Sequence, residues 1–424
     1  MRVNSTGPAV HLGYCTNIHA GDTWTDVFPT LREQIPRVRS ELNLEKELGI
    51  GLRLSNASAI TLTNDDVFDE FKNWLDSENL YVYTINGFPY GLFHGGRVKE
   101  DVYKPDWTEP DRLRYTCQLV DLLSKLEPPD NYGSISTLPG TYKDWLMPGS
   151  EELIGQNLIK AVAHCFQIQQ TTGVTVALAL EPEPCCLLET TSETINFFER
   201  FLFSQTAIEQ LMSLCHIERS TAELAMRTHI GVCYDVCHSA VEFEDPVSVI
   251  TRLRTAGIEI IKIQLSSALE INAVNEASLR QLAHFDEPVY LHQVVEQRGE
   301  LMTRYNDVGS AMAAFRHQLD ARSTLHPALK IAINAQPTFH AFAEEEPEAT
   351  WRVHFHVPVF MEKTEHFNTT QASLESVLRL QRQFSLSRHL EIETYTWDVL
   401  PERYRQRSVS SAIATEINWI RQRL

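Results

Sequence analysis

The hydrophobic and polar positions of the chain alternate between short apolar runs and longer helix-like stretches. Eight of the apolar runs have the length and the polar flanks of buried strands: 11–17, 49–55, 80–87, 132–140, 174–184, 229–238, 258–267 and 389–397. Because helix-like stretches separate these runs, the pattern predicts βαβ units and a parallel sheet. Eight such units close a barrel, so the expected fold is an α/β protein with a (β/α)8 TIM barrel.

A long interval, residues 268–388, separates the seventh predicted strand from the eighth. It contains one further strand-like run, RVHFHVPVF at 352–360, and an acidic run, EEEPE at 344–348, that predicts a solvated loop. We therefore expect one domain over residues 1–424, with 268–388 as a large insertion around the seventh βα unit. The competing architecture is an open doubly wound sheet. The sequence has no glycine-rich phosphate-binding loop of the kind that would favour it.

Composition and charge narrow the classes of partner. The 37 basic and 56 acidic side chains give a net charge of −19, which argues against a nucleic acid partner because such surfaces need clustered positive charge. No window approaches the roughly 20 apolar residues that cross a bilayer. The first residues, MRVNSTGPAVHLGY, lack the apolar stretch of a secretory signal, and the eight cysteines form no C-x-x-C pair. These features predict a cytoplasmic protein with reduced thiols.

The predicted strands end on polar residues, and in a barrel of this type the chemistry lies at the carboxyl ends of the strands. The polar residues at or near these ends are Asn17, His19, Asn86, Tyr90, His94, Glu181, Glu183, Asp235, His238, Gln264, Glu391 and Glu393, and the extra run adds His354 and His356. Carboxylates and imidazoles that converge on one rim are ligands for Mg²⁺, Mn²⁺, Zn²⁺ or Fe²⁺. A bound cation would also compensate the buried charge of Asp235.

Each of these residues taken alone also has an ordinary structural explanation. Asp235 with His238 three positions later is more often a helix cap and its neighbour. Glu181 is explained by an arginine partner, and His354 and His356 by packing against the inside of the barrel. The metal site is favoured by the whole set, which appears in order at successive strand ends.

The strand ends resemble those of the xylose isomerase-like TIM barrel superfamily, which includes sugar isomerases, epimerases and endonuclease IV repair enzymes. This resemblance implies a metal held by Glu181, Asp235 and Glu393, with His238 matching the histidine that follows the strand-six aspartate. Where the family has a histidine on strand seven, this chain has Gln264, a poor ligand for a transition metal. We expect His354 and His356 to fill that gap.

A second resemblance covers nearly the whole chain. Six stretches look like the metabolite traffic protein EboE family: HLGYCTNIHAGDTW, NGFPYGLFHG, STLPGTYKDW, FDEPVYLHQVV, WRVHFHVPVF and LEIETYTWDVLP. This resemblance implies a part in making or moving a small secondary metabolite, with other proteins of the same pathway as partners. It implies no particular reaction.

Three functions are consistent with these patterns. The first is a metal-dependent isomerase or epimerase of a small polyhydroxylated metabolite, in which Glu181 or Glu393 moves the proton. Its substrate contacts would be His19, Asn86, Tyr90, His94, His238 and Gln264. The alternative is a non-catalytic carrier or scaffold with a degraded metal site, which Gln264 supports. The third, hydrolysis of DNA by analogy with endonuclease IV, is disfavoured by the acidic charge balance.

Strand phase leaves two choices open, because an error of one residue reverses the face of a strand. The sequence does not decide between Glu181 and Glu183, or between Glu391 and Glu393, as the residue that faces the site.

Overall fold

Eight parallel strands form the centre of the structure, a computed structural model that describes residues 1–3, 8–94, 96–323, 348–402 and 405–424. The strands, in chain order and including five short ones discussed below, are β1 His11–Tyr14, β2 Leu48–Arg53, β3 Leu80–Asn86, β4 Tyr132–Thr137, β5 Thr175–Leu180, β6 Ile230–Asp235, β7 Ile260–Leu265, β8 Leu269–Ile271, β9 Val294–Arg298, β10 Leu301–Tyr305, β11 Thr350–Val353, β12 Asn368–Thr369 and β13 His389–Ile392. Except for Glu348, the acidic run at 344–348 lies outside the described residues.

The central sheet closes on itself. Its order is β1-β13-β7-β6-β5-β4-β3-β2, and every pairing along it is parallel. A parallel bridge between Cys15 and Gly51 joins the two outer strands β1 and β2. The predicted (β/α)8 barrel is therefore confirmed, although the strands are shorter than the apolar runs that predicted them.

Helices surround the barrel and occupy most of the chain between its strands. They are α1 Trp24–Glu41, α2 Asn56–Thr61, α3 Asp65–Ser77, α4 Pro110–Lys125, α5 Ser150–Thr172, α6 Thr191–Phe197, α7 Gln205–Cys215, α8 Arg219–His229, α9 Val236–Val241, α10 Pro246–Thr255, α11 Glu276–Leu282, α12 Val308–Ser323, α13 Gln371–Phe384 and α14 Val409–Arg421. Within the part of the chain that the structure describes, no helix combines the length and the apolar character that crossing a membrane requires.

The segment between β7 and β13 builds a second, smaller sheet. It has five strands in the order β10-β9-β11-β8-β12, all paired antiparallel. The sequence pattern indicated one strand here, at 352–360, whereas β11 ends at Val353 and the following residues are irregular. His354 and His356 therefore lie beyond the strand end. The boundaries 1–424 and 268–388 themselves stay a prediction.

A buried ion pair occupies the inside of the barrel. Lys262 Nζ lies 2.5 Å from Glu391 Oε2, both side chains are fully buried, and the same ammonium donates to Ser136 Oγ over 3.1 Å. Gly51 leaves room for this pair, since a Cβ at that position would overlap the Glu391 carboxylate. Glu391 therefore faces the barrel interior and is compensated there by a lysine.

Helix α14 anchors the chain on either side of the barrel mouth. Its buried residue Glu416 accepts hydrogen bonds at Oε1 from Thr394 Oγ1 over 2.7 Å and from the Val359 N–H over 3.0 Å. Burial raises the pKa of Glu416 to about 7, although both hydrogen bonds favour the ionised form. The folded protein therefore binds a proton here more tightly than the unfolded chain does.

We expect the Glu416→Gln variant to be more stable than the parent protein at alkaline pH. A raised carboxyl pKa destabilises the fold progressively as pH rises from about 4.5 to about 7, and the effect is complete above that range. The substitution keeps the acceptor oxygen and removes the ionisation, which should stabilise the protein by about 3 kcal/mol at pH 8 and by little at pH 4.

Thermal unfolding measured from pH 4 to pH 8 checks this expectation, with Glu223→Gln, an exposed glutamate on α8, as the control. A stability difference that grows toward acid pH, or that is the same in both variants, would contradict it.

Candidate metal centre

Seven buried side chains meet at the carboxyl end of the barrel. Glu181 and Glu183 follow β5, Asp235 ends β6, His238 lies on α9, Glu393 follows β13, and His354 and His356 follow β11. Their ligand atoms form overlapping groups in which all atoms lie within 4.8 Å of one another: Glu181 with Asp235 and Glu393, Asp235 with His238 and His356, and Glu183 with His238 and His354. Asp235 therefore belongs to both a carboxylate group and an imidazole group.

Asp235 has two separate roles because its two carboxylate oxygens lie in different surroundings. Oδ1 caps helix α9 by accepting from the His238 N–H over 3.1 Å, and it also accepts from Ser266 Oγ over 2.7 Å. Oδ2 is buried, has no hydrogen-bond partner within the described part of the chain, and lies 3.8 Å from His238 Nε2. The helix cap and the candidate ligand are thus the same residue, and only one of its oxygens is available to a cation.

The other two carboxylates of the group differ in their hydrogen bonds. Glu393 Oε1 accepts from Asn17 Nδ2 over 2.7 Å and from Asn86 Nδ2 over 2.9 Å, which fixes its orientation. Glu181 Oε2 is buried and has no hydrogen-bond partner among the residues that the structure describes. Burial and the neighbouring carboxylates raise the pKa of Glu181 and of Glu393 well above the usual value of 4.5. Without a cation, each of these groups would tend to hold a proton.

Asp235 stays ionised by contrast. Burial alone would raise its pKa, but the imidazoles of His238 and His356 and the hydrogen bonds to Oδ1 lower the pKa below its usual value.

The three imidazoles point their Nε2 atoms at one another. His354 Nε2 lies 3.1 Å from His238 Nε2 and 3.0 Å from His356 Nε2. Every Nδ1 contacts an oxygen acceptor: Pro182 O for His238, Gln293 Oε1 for His354 and the Glu393 backbone O for His356. Since these oxygens only accept, each Nδ1 carries the ring proton and each Nε2 of a neutral imidazole presents a lone pair.

Protonation of the rings does not place a hydrogen in the close contact between the Nε2 atoms of His354 and His356. Burial lowers the pKa of His354 well below its usual value and that of His356 to about 4, so both rings are neutral near pH 7. The contact between these two Nε2 atoms therefore has no hydrogen in it. Metal-binding histidines use the same arrangement. An acceptor bonded to Nδ1–H fixes the tautomer, and Nε2 then points toward the metal.

The charge of the cluster also favours a bound metal ion. It contains four buried carboxylates, Glu181, Glu183, Asp235 and Glu393, while the nearby Glu391 is compensated by Lys262. With all four ionised, the cluster has a charge of −4. Divalent cations compensate such charge, and mixed carboxylate and imidazole donors suit Zn²⁺, Mn²⁺ and Fe²⁺ better than Mg²⁺. The residues present therefore fit a divalent metal.

A pocket of about 520 Å³, partly open to solvent, leads to this cluster. Its polar floor, as we call the residues at the cluster, consists of Asn17, Asn86, Glu181, Glu183, His238, His354 and Glu393. Both Glu181 and Glu183 therefore face the site, whereas of the strand-eight pair only Glu393 does. Asp235 and His356 are not part of the pocket lining, but their ligand atoms lie within 4.8 Å of those of floor residues in the groups described above.

Four of the residues predicted to contact substrate lie outside the described lining of the pocket. His19 bonds to Tyr14 OH over 3.0 Å, and Tyr90 packs edge-on against the ring of Tyr115. Gln264 lies inside the barrel, where the Cys233 thiol donates to its Oε1. Their substrate contacts stay predictions.

His94, the fourth, supports the pocket from outside. Its Nε2 donates to Asn17 O over 2.5 Å, and its Nδ1 lies 2.7 Å from Tyr290 OH. It therefore holds together two residues that do line the pocket.

Sequence reasoning missed the aromatic side chains of the pocket and the amide that organises them. Tyr290 and Gln293 both belong to the run FDEPVYLHQVV, in which the sequence pointed to Asp286, Glu287 and His292 as the polar residues able to reach the site. Gln293 Nε2 donates to Glu183 Oε1 over 3.2 Å while its Oε1 accepts from His354 Nδ1 over 2.7 Å. No periodic signal in the sequence indicates such contacts, because they join irregular segments far apart in the chain.

No family model matches the chain, and no curated protein matches it. Among solved structures, the chain is similar to a xylose isomerase-like TIM barrel protein from Mycobacterium smegmatis in complex with magnesium. The match covers 98% of this chain and 96% of that one, with 10% identity and a TM-score of 0.49.

Two further solved structures are similar over smaller parts. One is the IOLI protein with a bound zinc atom, at 10% identity over 60% of this chain and 73% of that one, with a TM-score of 0.36. The other is L-ribulose 3-epimerase, at 13% identity over 66% and 80%, with a TM-score of 0.35. Of these three structures, one is a xylose isomerase-like TIM barrel protein and one is a sugar epimerase, and two hold a metal.

We expect the protein to take up divalent metal through the shared residue Asp235. Purified without chelator and equilibrated with Zn²⁺, it should bind about two equivalents, one at the three carboxylates Glu181, Asp235 and Glu393 and one at the three imidazoles beside Asp235. Asp235→Asn should weaken uptake about 100-fold or more, because it removes the charge common to both groups. Elemental analysis after dialysis measures the bound metal.

The control is His229→Gln, which changes a buried histidine that bonds to Val176 O at the far end of helix α8. It should keep the metal content of the parent. Equal metal content in the parent and in Asp235→Asn would contradict the assignment.

Proposed function

We propose that the protein is a divalent-metal-dependent isomerase or epimerase of a small hydroxylated metabolite. The observation that carries this proposal is the convergence of three carboxylates and three imidazole Nε2 atoms at the end of one pocket. A bound divalent cation would polarise adjacent substrate oxygens and make a neighbouring carbon-bound proton more acidic. The chain must then supply a group that moves this proton.

Glu181 is the residue that we assign to proton transfer. Its Oε2 is buried at the pocket, and none of the described residues bonds to it. Burial and the nearby Glu393 and Asp235 raise the pKa of Glu181 well above 4.5. A carboxyl group tuned in this way can take a proton from carbon at Oε2 and return it to the same or an adjacent carbon. Water would compete less well because the group is buried.

Glu393 has a different part in the proposal. Two amide donors, Asn17 Nδ2 and Asn86 Nδ2, hold its Oε1, so this carboxylate is oriented as a fixed ligand and less free to carry a proton. Its remaining oxygen, Oε2, lies 4.0 Å from His356 Nδ1, toward the imidazole group. The sequence left the proton carrier open between Glu181 and Glu393, and these hydrogen bonds favour Glu181.

The finer assignment, to an EboE-like role in metabolite traffic or biosynthesis, is also a proposal. Five of the six motifs that carry that resemblance contribute residues to the pocket, among them Asn17, Asn86, Tyr290, His354 and Glu393. This supports the view that the motifs concern one ligand site. Other proteins of the same pathway would be partners in that role.

The second candidate is a protein that binds its metabolite without converting it. Gln264 in place of a strand-seven histidine favours this function, and its Nε2 is buried without a hydrogen-bond partner. The free Oε2 of Glu181 favours catalysis instead, since a pure binding site has no use for an unpaired carboxylate oxygen.

Hydrogen exchange distinguishes the two candidates. The metal-loaded protein in D₂O should wash deuterium into the carbon next to the carbonyl of a probe ketone, and we suggest D-fructose and 2-hydroxycyclohexanone followed by proton NMR. Glu181→Gln at saturating metal should slow the exchange by about 10²- to 10⁴-fold, the usual contribution of a general base.

Glu223→Gln, which changes an exposed glutamate on α8, is the control and should exchange at the parent rate. Exchange that survives in Glu181→Gln would remove that residue as the base. Bound metal without exchange of either probe would favour the binding function.

A further inference from the structure

Above the polar floor, the pocket is lined almost entirely by apolar and aromatic side chains. We call this part the aromatic wall, and it consists of Phe88, Pro89, Phe93, Val98, Val102, Tyr103, Tyr290, Leu291 and Tyr395. Lys99 also lines the pocket, but with its ammonium paired elsewhere. A site that binds an open-chain polyol needs polar partners along its length, because each substrate hydroxyl leaves water when it binds.

The few polar atoms of the wall are already engaged. Tyr103 OH donates to Glu183 Oε1 over 2.8 Å and accepts from Gln293 Nε2 over 2.9 Å. Tyr290 OH bonds to His94 Nδ1 over 2.7 Å, outside the pocket. Lys99 Nζ donates to Asp307 Oδ2 over 2.7 Å and to Glu287 O over 3.0 Å. Both hydroxyls and the ammonium are bonded to protein groups, so it is chiefly the carbon atoms of these side chains that remain for contact with a ligand.

The unengaged polar atoms lie at the floor. Glu181 Oε2 and Asn17 Oδ1 are buried, and no residue of the described ranges forms a hydrogen bond with either atom. Tyr395 OH lies 3.5 Å from His354 Nε2, so the one loosely bonded hydroxyl of the wall also points at the floor. The pocket therefore offers polar contacts at one end and apolar surface along the rest.

The wall is held in shape before a ligand arrives. It is carried by the residues after β3 and by the segment 286–293, and the N–H groups of Val98 and Lys99 both donate to Val289 O, over 2.8 and 2.9 Å. The Phe93 ring packs against Tyr290 and Tyr395, with 5.2 Å between ring centroids in each case. A preformed wall selects ligands by shape and polarity.

From this division we infer that the substrate has a compact apolar or ring-shaped body and carries its metal-binding oxygens at one end. The inference rests on the proposed function, which supplies the metal, and it narrows the substrate class from polyhydroxylated metabolites in general to those with hydroxyls confined to one end. An open-chain sugar would place several hydroxyls against the aromatic wall without partners. A cyclic hydroxyketone or a diol on an apolar ring would not.

Three hydroxamates that share one metal-binding head test the inference. Acetohydroxamate has a methyl body, benzohydroxamate a phenyl body, and D-gluconohydroxamate an open-chain polyol body. Isothermal titration of the Zn²⁺-loaded protein should give benzohydroxamate an affinity about 10-fold or more above that of acetohydroxamate, because the ring buries apolar area against the wall. Gluconohydroxamate should bind no more tightly than acetohydroxamate.

Variants of the wall show whether the preference arises there. Phe93→Ala should remove most of the benzohydroxamate advantage and change acetohydroxamate binding less than about 3-fold. Leu291→Ala is a second, milder variant should Phe93→Ala fail to fold. Phe384→Ala, an exposed ring on α13, is the control and should behave like the parent.

The outcomes separate the two proposals. Metal uptake with equal affinities, or with a preference for gluconohydroxamate, would overturn the inference and leave the proposed function standing. A benzohydroxamate preference that persists in both wall variants would also overturn it. Failure of the protein to take up metal would overturn the proposed function and this inference with it.

Discussion

Uncompensated negative charge at the carboxyl end of the barrel is the constraint on which the rest of the structure depends. The barrel brings Glu181, Asp235 and Glu393 together in a buried place, and such a group must bind protons or a cation. Protons on Glu181 and Glu393 would relieve the carboxylates alone. They would not relieve the facing lone pairs of His354 and His356, because those rings keep their protons on the other nitrogen. A cation satisfies both groups together.

The small antiparallel sheet is what makes this cluster different from a purely carboxylate site. It delivers His354 and His356 to the barrel mouth directly after β11, and it delivers Gln293 at the point where β9 begins. Gln293 fixes the tautomer of His354 and at the same time holds Glu183. The same region supplies Tyr290 to the aromatic wall. The metal-binding chemistry and the shape of the pocket thus have a common structural origin outside the barrel.

The sequence predicts the barrel well because each strand is a local apolar run and the helices between them enforce parallel order. It also places Glu181, Asp235 and Glu393 in one neighbourhood, since the carboxyl ends of barrel strands share a face. His354 and His356 lie in the insertion, and only the family resemblance suggested them as further ligands. Strand phase did not decide whether Glu391 or Glu393 faces the site. That choice depends on Lys262, the buried partner of Glu391. That lysine is three strand positions from the polar end of β7 and carries no signal of its own.

The aromatic wall and the small sheet were beyond sequence reasoning for a different reason. All five strands of the small sheet have five residues or fewer beside irregular neighbours, and their order in the sheet differs from their order in the chain. The contacts of Phe93 with Tyr290 and Tyr395 join residues about two to three hundred positions apart. Periodicity reports local structure, and such pairings depend on the assembled fold.

Anomalous diffraction from crystals equilibrated with Zn²⁺ tests the central claim most directly. The account predicts one peak bounded by Glu181, Asp235 and Glu393 and a second bounded by His238, His354 and His356. Data collected on both sides of the zinc absorption edge identify the element. An absence of peaks at both positions, with the three Nε2 atoms separated and bonded to ordered water, would contradict the account.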